Sequence, residues 1–176
     1  MVEFKNLFSK LLIARQLTFE EGKISLLGQS IVIVPTYTIA ELQKFIEEKF
    51  GKNGQKAIYL AAKEAGKKYV GVFKKQHNPP FQALIDWCVN IMQLSGWGKF
   101  TVINADYKNL TATFHVVDSP ITNLIGKRKE PVDFFISGFL AGGTTIIFNQ
   151  DFDVKEIKCT ATGNQYCEFE AYPSKK

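Results

Sequence analysis

The sequence predicts an α+β domain in which helices cover an antiparallel sheet. Three observations carry this expectation. β-rich runs at residues 23–27 and 30–34 come first, helical periodicity dominates residues 38–94, and strands return at 99–105, 110–117, 154–161 and 165–172. That order segregates strands from helices, which a doubly wound parallel sheet would alternate. At 176 residues one domain buries an adequate core. With no linker, low-complexity tract or repeat, residues 1–176 read as a single domain.

Phe4, Leu7, Phe8, Leu11 and Leu12 recur at helical spacing and predict an amphipathic helix within residues 1–15. Its polar face is not strongly basic, so core or dimer packing is favoured over a membrane surface. Gly28-Gln29 fits a two-residue hairpin loop with glycine first, and Pro35 ends the second strand. Thr38 to Glu41 has capping-box spacing and starts a helix running to about residue 50. Residues 51–54 form a turn before a longer helix to about residue 75, with Ile58, Ala61, Ala62, Ala65, Tyr69 and Val72 facing inward. Asn78-Pro79-Pro80 breaks the chain, and a third helix follows with Leu84, Ile85, Cys88 and Met92 on one stripe, closed by Ser95-Gly96. In strand 110–117, Ala112, Phe114 and Val116 alternate with Thr113, His115 and Val117. Pro131 opens a helix ending near Gly142-Gly143, and the last hairpin turns at Gly163-Asn164.

Composition narrows the function. The net charge is +5, yet Lys67-Lys68, Lys74-Lys75 and Lys127-Arg128-Lys129 are short, interrupted groups. No basic stripe interleaves with aromatics, so specific nucleic-acid binding is not expected. Residues 1–15 carry Glu3, Lys5 and Lys10 and lack a signal peptide's apolar run, and no stretch reaches the roughly 18 apolar residues of a membrane span. Three cysteines point to a reducing compartment rather than a disulfide scaffold, so a cytoplasmic location is expected. Phosphate-loop, G-x-G-x-x-G, H-E-x-x-H and G-x-S-x-G motifs are absent, and His77 and His115 suggest no triad. An enzyme is not expected.

The strongest chemical signal pairs Glu156-Ile157-Lys158-Cys159 with Tyr166-Cys167-Glu168-Phe169 across the last turn. A hairpin centred near Gly163 sets Cys159 opposite Cys167, and period-2 alternation puts Ile157, Cys159, Cys167, Phe169 and Ala171 on one apolar face. Two such thiols have three readings. They are inert core cysteines, a cross-strand disulfide worth roughly 2.5 kcal/mol, or two of four ligands in a zinc site worth on the order of 10 kcal/mol. Spacing alone leaves all three open.

Together with Asp133, Gly138 and Gly142 upstream, the pattern Glu156-x-x-Cys159-x7-Cys167-x-Phe169 resembles the 4-vinyl reductase domain family of hydrocarbon-binding proteins. The stretch 28–35 and Ala65-Gly66 also fall in order, so the resemblance spans about residues 20–172, with its specific motif at 133–169. It implies a fold like TRAPP-type vesicle-trafficking subunits, a homodimer, and an elongated apolar cavity, as in the sensing domains of phenol-responsive activators. It further implies zinc held by Glu156, Cys159 and Cys167, with Asp133 where another thiol is expected. That exchange makes the site less zinc-like. Simple alternation sends Glu156 to the face opposite Cys159, so it joins only through a bulge or bend. A Cys159–Cys167 disulfide is the alternative to zinc.

The expected function is a small-molecule binding or sensing domain holding a hydrophobic or aromatic ligand in an apolar cavity. Aromatic side chains bring large apolar area, and Tyr69, Phe73, Trp87, Trp97, Phe114 and Phe135 are the wall candidates. The alternative is a structural assembly subunit acting through its dimer face and residues 4–12. Reduced-tetrapyrrole chemistry is suggested only by the family's name.

Overall fold

The computed structural model describes residues 4–175, with side chains from Ser9 onward. Where sequence analysis drew no boundary, the chain divides into two compact units, Met1–Pro35 and Thr36–Lys176.

The first unit holds α1 (Phe4–Ile13) and a three-stranded antiparallel meander of β1 (Leu17–Glu20), β2 (Lys23–Leu26) and β3 (Gln29–Ile31). The helix forms where helical spacing predicts it. Of its predicted stripe, Phe4, Leu7 and Phe8 lie outside the residues whose side chains are described; Leu11 is buried and Leu12 is exposed. The β2–β3 loop is Leu27-Gly28, one residue earlier than expected. Both residues have positive φ, 53° and 74°, as a two-residue turn matching strand twist requires, and Leu26 pairs with Gln29. β1 has no counterpart among the expected elements.

The second unit begins with α2 (Thr36–His77), two helical arms joined at Gly51, whose φ of 55° and ψ of −134° break the helix. The arms approach closely: a Cβ on Gly54 would fall 2.5 Å from the Ile46 carbonyl oxygen. Then come α3 (Phe81–Leu94), β4 (Lys99–Asp106), β5 (Thr111–Val117), α4 (Pro120–Ile125), α5 (Phe134–Phe148), β6 (Phe152–Lys158), a 3-10 turn at Thr160–Thr162 and β7 (Cys167–Pro173). The sheet order is β4-β5-β7-β6, antiparallel throughout. Its inner face carries Ala112, Phe114 and Val116 from β5 and Cys167, Phe169 and Ala171 from β7, all buried.

α5 corrects the sequence reading at both ends. It starts at Phe134 with Asp133 as N-cap, not at Pro131, and runs through Gly142-Gly143 to an Asn149 cap in the left-handed region. These glycines are not a stop signal but a contact surface. A Cβ on Gly138 would meet the Tyr59 carbonyl oxygen at 2.2 Å, one on Gly142 the Lys63 carbonyl oxygen at 2.0 Å, and one on Gly66 the Phe139 carbonyl oxygen at 2.3 Å. Hydrogen side chains let α5 and the second arm of α2 touch backbone to backbone.

A polar clamp fixes the same arm to β6. Lys63 is buried and reaches Asp153 at 2.9 Å and Asp151 at 3.2 Å. The Tyr59 hydroxyl donates to Asp153 at 2.9 Å and accepts from the Val154 N–H at 3.0 Å. Burial works against the Asp153 carboxylate, but hydrogen bonds from Lys63, Ser174 and Tyr59 hold it below the ordinary carboxylate range.

Candidate metal centre and apolar cavity

The two cysteines meet because a hairpin joins β6 and β7, and Glu156 joins them because β6 bulges. Glu156 faces Phe169 and Lys158 faces Glu168, leaving Ile157 as the extra residue. Before the bulge, Phe152, Val154 and Glu156 share the inner face; beyond it the face passes to Cys159. Ile157 turns outward and is 38% exposed, whereas Glu156 is 7% exposed. This corrects the simple alternation, which placed Ile157 beside the cysteines and Glu156 opposite them.

Ligand atoms of Glu156, Cys159 and Cys167 lie within 4.8 Å of one another. Asp133 is not part of that trio but adjoins it. Its N–H donates to Glu156 Oε2 at 2.9 Å, and its Oδ1 accepts from the Ser119 hydroxyl at 3.0 Å. Asp133 Oδ2 and Glu156 Oε1 are buried with no hydrogen-bond partner, an arrangement that costs free energy unless something else satisfies them. Burial pushes Asp133 upward against the Ser119 hydrogen bond. Burial and the Asp133 charge push Glu156 up more strongly. A hydrogen bond from Cys167 favours the Cys159 thiolate, and the Thr160 N–H donates to Cys167 Sγ at 3.4 Å. All three thiols, Cys88, Cys159 and Cys167, are free. Two sulfurs and two carboxylates, two of whose oxygens lack partners, form a donor set that fits a thiophilic divalent cation such as zinc.

Three supporting side chains escaped the sequence reading. Ser119 caps α4 with Pro120 at the first helical position, a readable N-cap pattern whose second job on Asp133 left no trace. Thr160 links Cys167 to α4 through a 2.7 Å bond to the Thr122 hydroxyl. Gln43, on the first arm of α2, is 2% exposed and donates to the Val132 carbonyl at 2.8 Å, holding the residue before Asp133. Nothing in the spacing around Gln43 announces a contact 89 positions away.

Further along α5 lies an enclosed apolar cavity of about 20 Å³. α2 contributes Val70 and β5 contributes Phe114; α3 contributes Ile85, Cys88, Val89 and Met92; α5 contributes Phe139, Leu140, Gly143, Thr144 and Ile147. The space holds about one water-sized sphere. Of the six wall candidates, only Phe114 lines it. Phe73 stacks on Trp87 with ring centres 3.7 Å apart, Tyr69 stacks on Trp87 at 5.6 Å, and Trp97 stacks on Phe135 at 4.7 Å. A larger space of about 660 Å³ is an open surface groove walled by Lys74, Lys75, Asn78, Gln150 and Asp151 among others, too polar for an apolar ligand.

A family model for the 4-vinyl reductase (V-4-R) domain matches residues 112–173. Residues 112–173 are a 4-vinyl reductase domain. This domain runs from β5 to the end of β7 and contains Phe114, Asp133, Glu156, Cys159 and Cys167. Over 43 residues the chain is 42% identical to an uncharacterized protein of Methanocaldococcus jannaschii, a match covering 24% of this chain and 26% of that protein. The chain thus spans about a quarter of that relative's length.

Among solved structures, the phenol-responsive sensory domain of the transcription activator PoxR, determined with phenol, is similar with a TM-score of 0.82 at 18% identity, covering 98% of this chain and 91% of that one. A vinyl-4-reductase family protein from Methanocaldococcus jannaschii follows with a TM-score of 0.59 at 22% identity, covering 82% and 85%. A trafficking protein particle complex subunit 3 from Naegleria fowleri, covalently bound to palmitic acid, has a TM-score of 0.57 at 11% identity, covering 80% and 95%. At these identities the likeness is one of fold, and the α+β, TRAPP-subunit-like architecture expected from the sequence is the one observed. Among the described residues no helix is long and apolar enough to cross a membrane.

Proposed function

We propose that this chain is a small-molecule sensing module whose 4-vinyl reductase domain holds a hydrophobic or aromatic ligand between α3, α5 and the sheet. The observation that carries this reading is the enclosed, apolar-lined cavity beside Phe114. The shared fold with the PoxR sensory domain supports it. A benzene-sized guest needs a cavity on the order of 150 Å³, so binding must displace lining side chains. Met92 is well suited to yield, having three rotatable bonds, and α3 meets α2 through the Tyr69–Trp87–Phe73 stack. Ligand entry that shifts α3 against α2 would turn occupancy into a change of shape. The role is binding, not catalysis, and a cytoplasmic location suits three free thiols.

Zinc held by Glu156, Cys159, Cys167 and Asp133 is part of the proposal. When bound, it would cross-link the sheet to the start of α5, the helix that lines the cavity, and its charge would satisfy the orphaned carboxylate oxygens. Ser119 and the Asp133 N–H orient the two carboxylates, and Thr160 orients the Cys167 sulfur.

Thermal unfolding with and without toluene tests the ligand reading. At one hundred times its dissociation constant a ligand adds about 2.7 kcal/mol, roughly 5–10 °C for a domain of this size. A midpoint unmoved at toluene saturation contradicts the reading. A second reading, an assembly subunit, is favoured by Tyr37, Leu42, Phe45 and Phe50, all more than half exposed on the first arm of α2. The proposed homodimer bears on both readings, and a native mass of two chains would support it.

A further inference from the structure

We infer that the cavity selects apolar molecules without a polar head, taking benzene and toluene in preference to phenol and p-cresol. This rests on the ligand-binding reading above and specifies its ligand class. Three lining side chains carry a heteroatom: Cys88, Met92 and Thr144. Thiol and thioether sulfurs are weak hydrogen-bond partners. The Thr144 hydroxyl directs its proton back into its own helix, 2.8 Å from the Leu140 carbonyl oxygen and 3.0 Å from that of Ala141. No carboxylate, imidazole, amide or ammonium side chain is among the lining residues. A phenol hydroxyl brought inside thus finds no donor to receive and, beyond the Thr144 oxygen, no strong acceptor for its proton.

The charged and strongly polar groups of the unit stand elsewhere. Asp133 and Glu156 bind to Ser119 and to each other's segment at the N-terminal end of α5. Lys63 and Asp153 pair on the side of α2 that meets β6. The shape of the site is therefore compatible with one aromatic ring, but its chemistry disfavours the hydroxyl. A polar group buried without a partner loses its bonds to water, and apolar pockets reject an added hydroxyl by up to about a hundredfold.

The test is titration calorimetry of the full chain with two matched pairs, benzene against phenol and toluene against p-cresol. Each pair differs by one hydroxyl and needs no protein variant. The expected result is saturable binding of both hydrocarbons, with dissociation constants about ten- to a hundredfold below those of their hydroxylated partners. Equal or tighter binding of the phenols overturns this selectivity while leaving the ligand-binding reading intact. Saturable binding by none of the four overturns both.

Discussion

Replacing Gly142 with alanine is expected to prevent stable folding, whereas the same change at the adjacent Gly143 is expected to be tolerated. A methyl at Gly142 would lie 2.0 Å from the Lys63 carbonyl oxygen and 2.6 Å from the Lys67 nitrogen. Both are backbone atoms of a helix and cannot swing aside, so α5 would have to retreat from α2 along its length. Overpacking where side chains can adjust costs about 1–3 kcal/mol; here the backbone itself must separate, and the cost is expected to reach or pass the top of that range. A total stability of about 5–15 kcal/mol leaves little margin. At Gly143 the nearest atom is Val70 Cγ2 at 3.4 Å, the mobile end of a side chain. Alanine gains up to about 1 kcal/mol of helix propensity over glycine, and its methyl enters the cavity. Gly143→Ala should therefore unfold no more easily than the natural protein yet bind toluene more weakly. Urea unfolding of the two variants checks the contrast. A Gly142→Ala midpoint matching the natural protein would mean that the helices do not touch as described.

Removing the metal is the second large effect. The purified protein is expected to carry one zinc per chain, and a chelator strong enough to extract it should lower the thermal midpoint by at least about 10 °C. Structural zinc can contribute on the order of 10 kcal/mol, and each kcal/mol moves a domain of this size by roughly 2–4 °C. Cys159→Ala should reproduce the chelator's effect, and the chelator should then add nothing, because the ligands act as one unit. Asp133→Cys should retain zinc against higher chelator concentrations, since a thiolate replaces a carboxylate. A metal-free protein whose mass rises by about two hydrogens on reduction would instead establish a Cys159–Cys167 disulfide.

These two regions also show what the sequence could and could not reveal. The meeting of Cys159 and Cys167 was readable because a short hairpin constrains its own partners. Glu156 was not placed correctly because the bulge falls at Ile157, a β-branched apolar residue that looks like an ordinary inward strand position. The end of α5 was misread for a related reason. Gly142-Gly143 resembles a stop signal within its own segment, and only the Lys63 carbonyl of another helix shows why glycine is there. Among the aromatic candidates, Phe114 was legible from strand alternation. Tyr69, Phe73 and Trp87 share helical faces that point toward one another, and aromatic rings gain from pairing. Periodicity gives the face of a ring but not whether a ring or a void stands opposite. Gln43 was invisible because its partner is a backbone carbonyl, which every residue carries.

An apolar guest should occupy the space bounded by Phe114, Met92 and Leu140, and the sensing role depends on this above all else. A crystal grown with bromobenzene tests it directly, because bromine's anomalous scattering marks the guest without reference to the protein. The predicted result is one strong peak inside that space, the Met92 side chain displaced, and a cavity enlarged well beyond about 20 Å³. Bromine found only on the surface or in the open groove by Lys74 and Asp151, with the cavity still closed, would contradict the account.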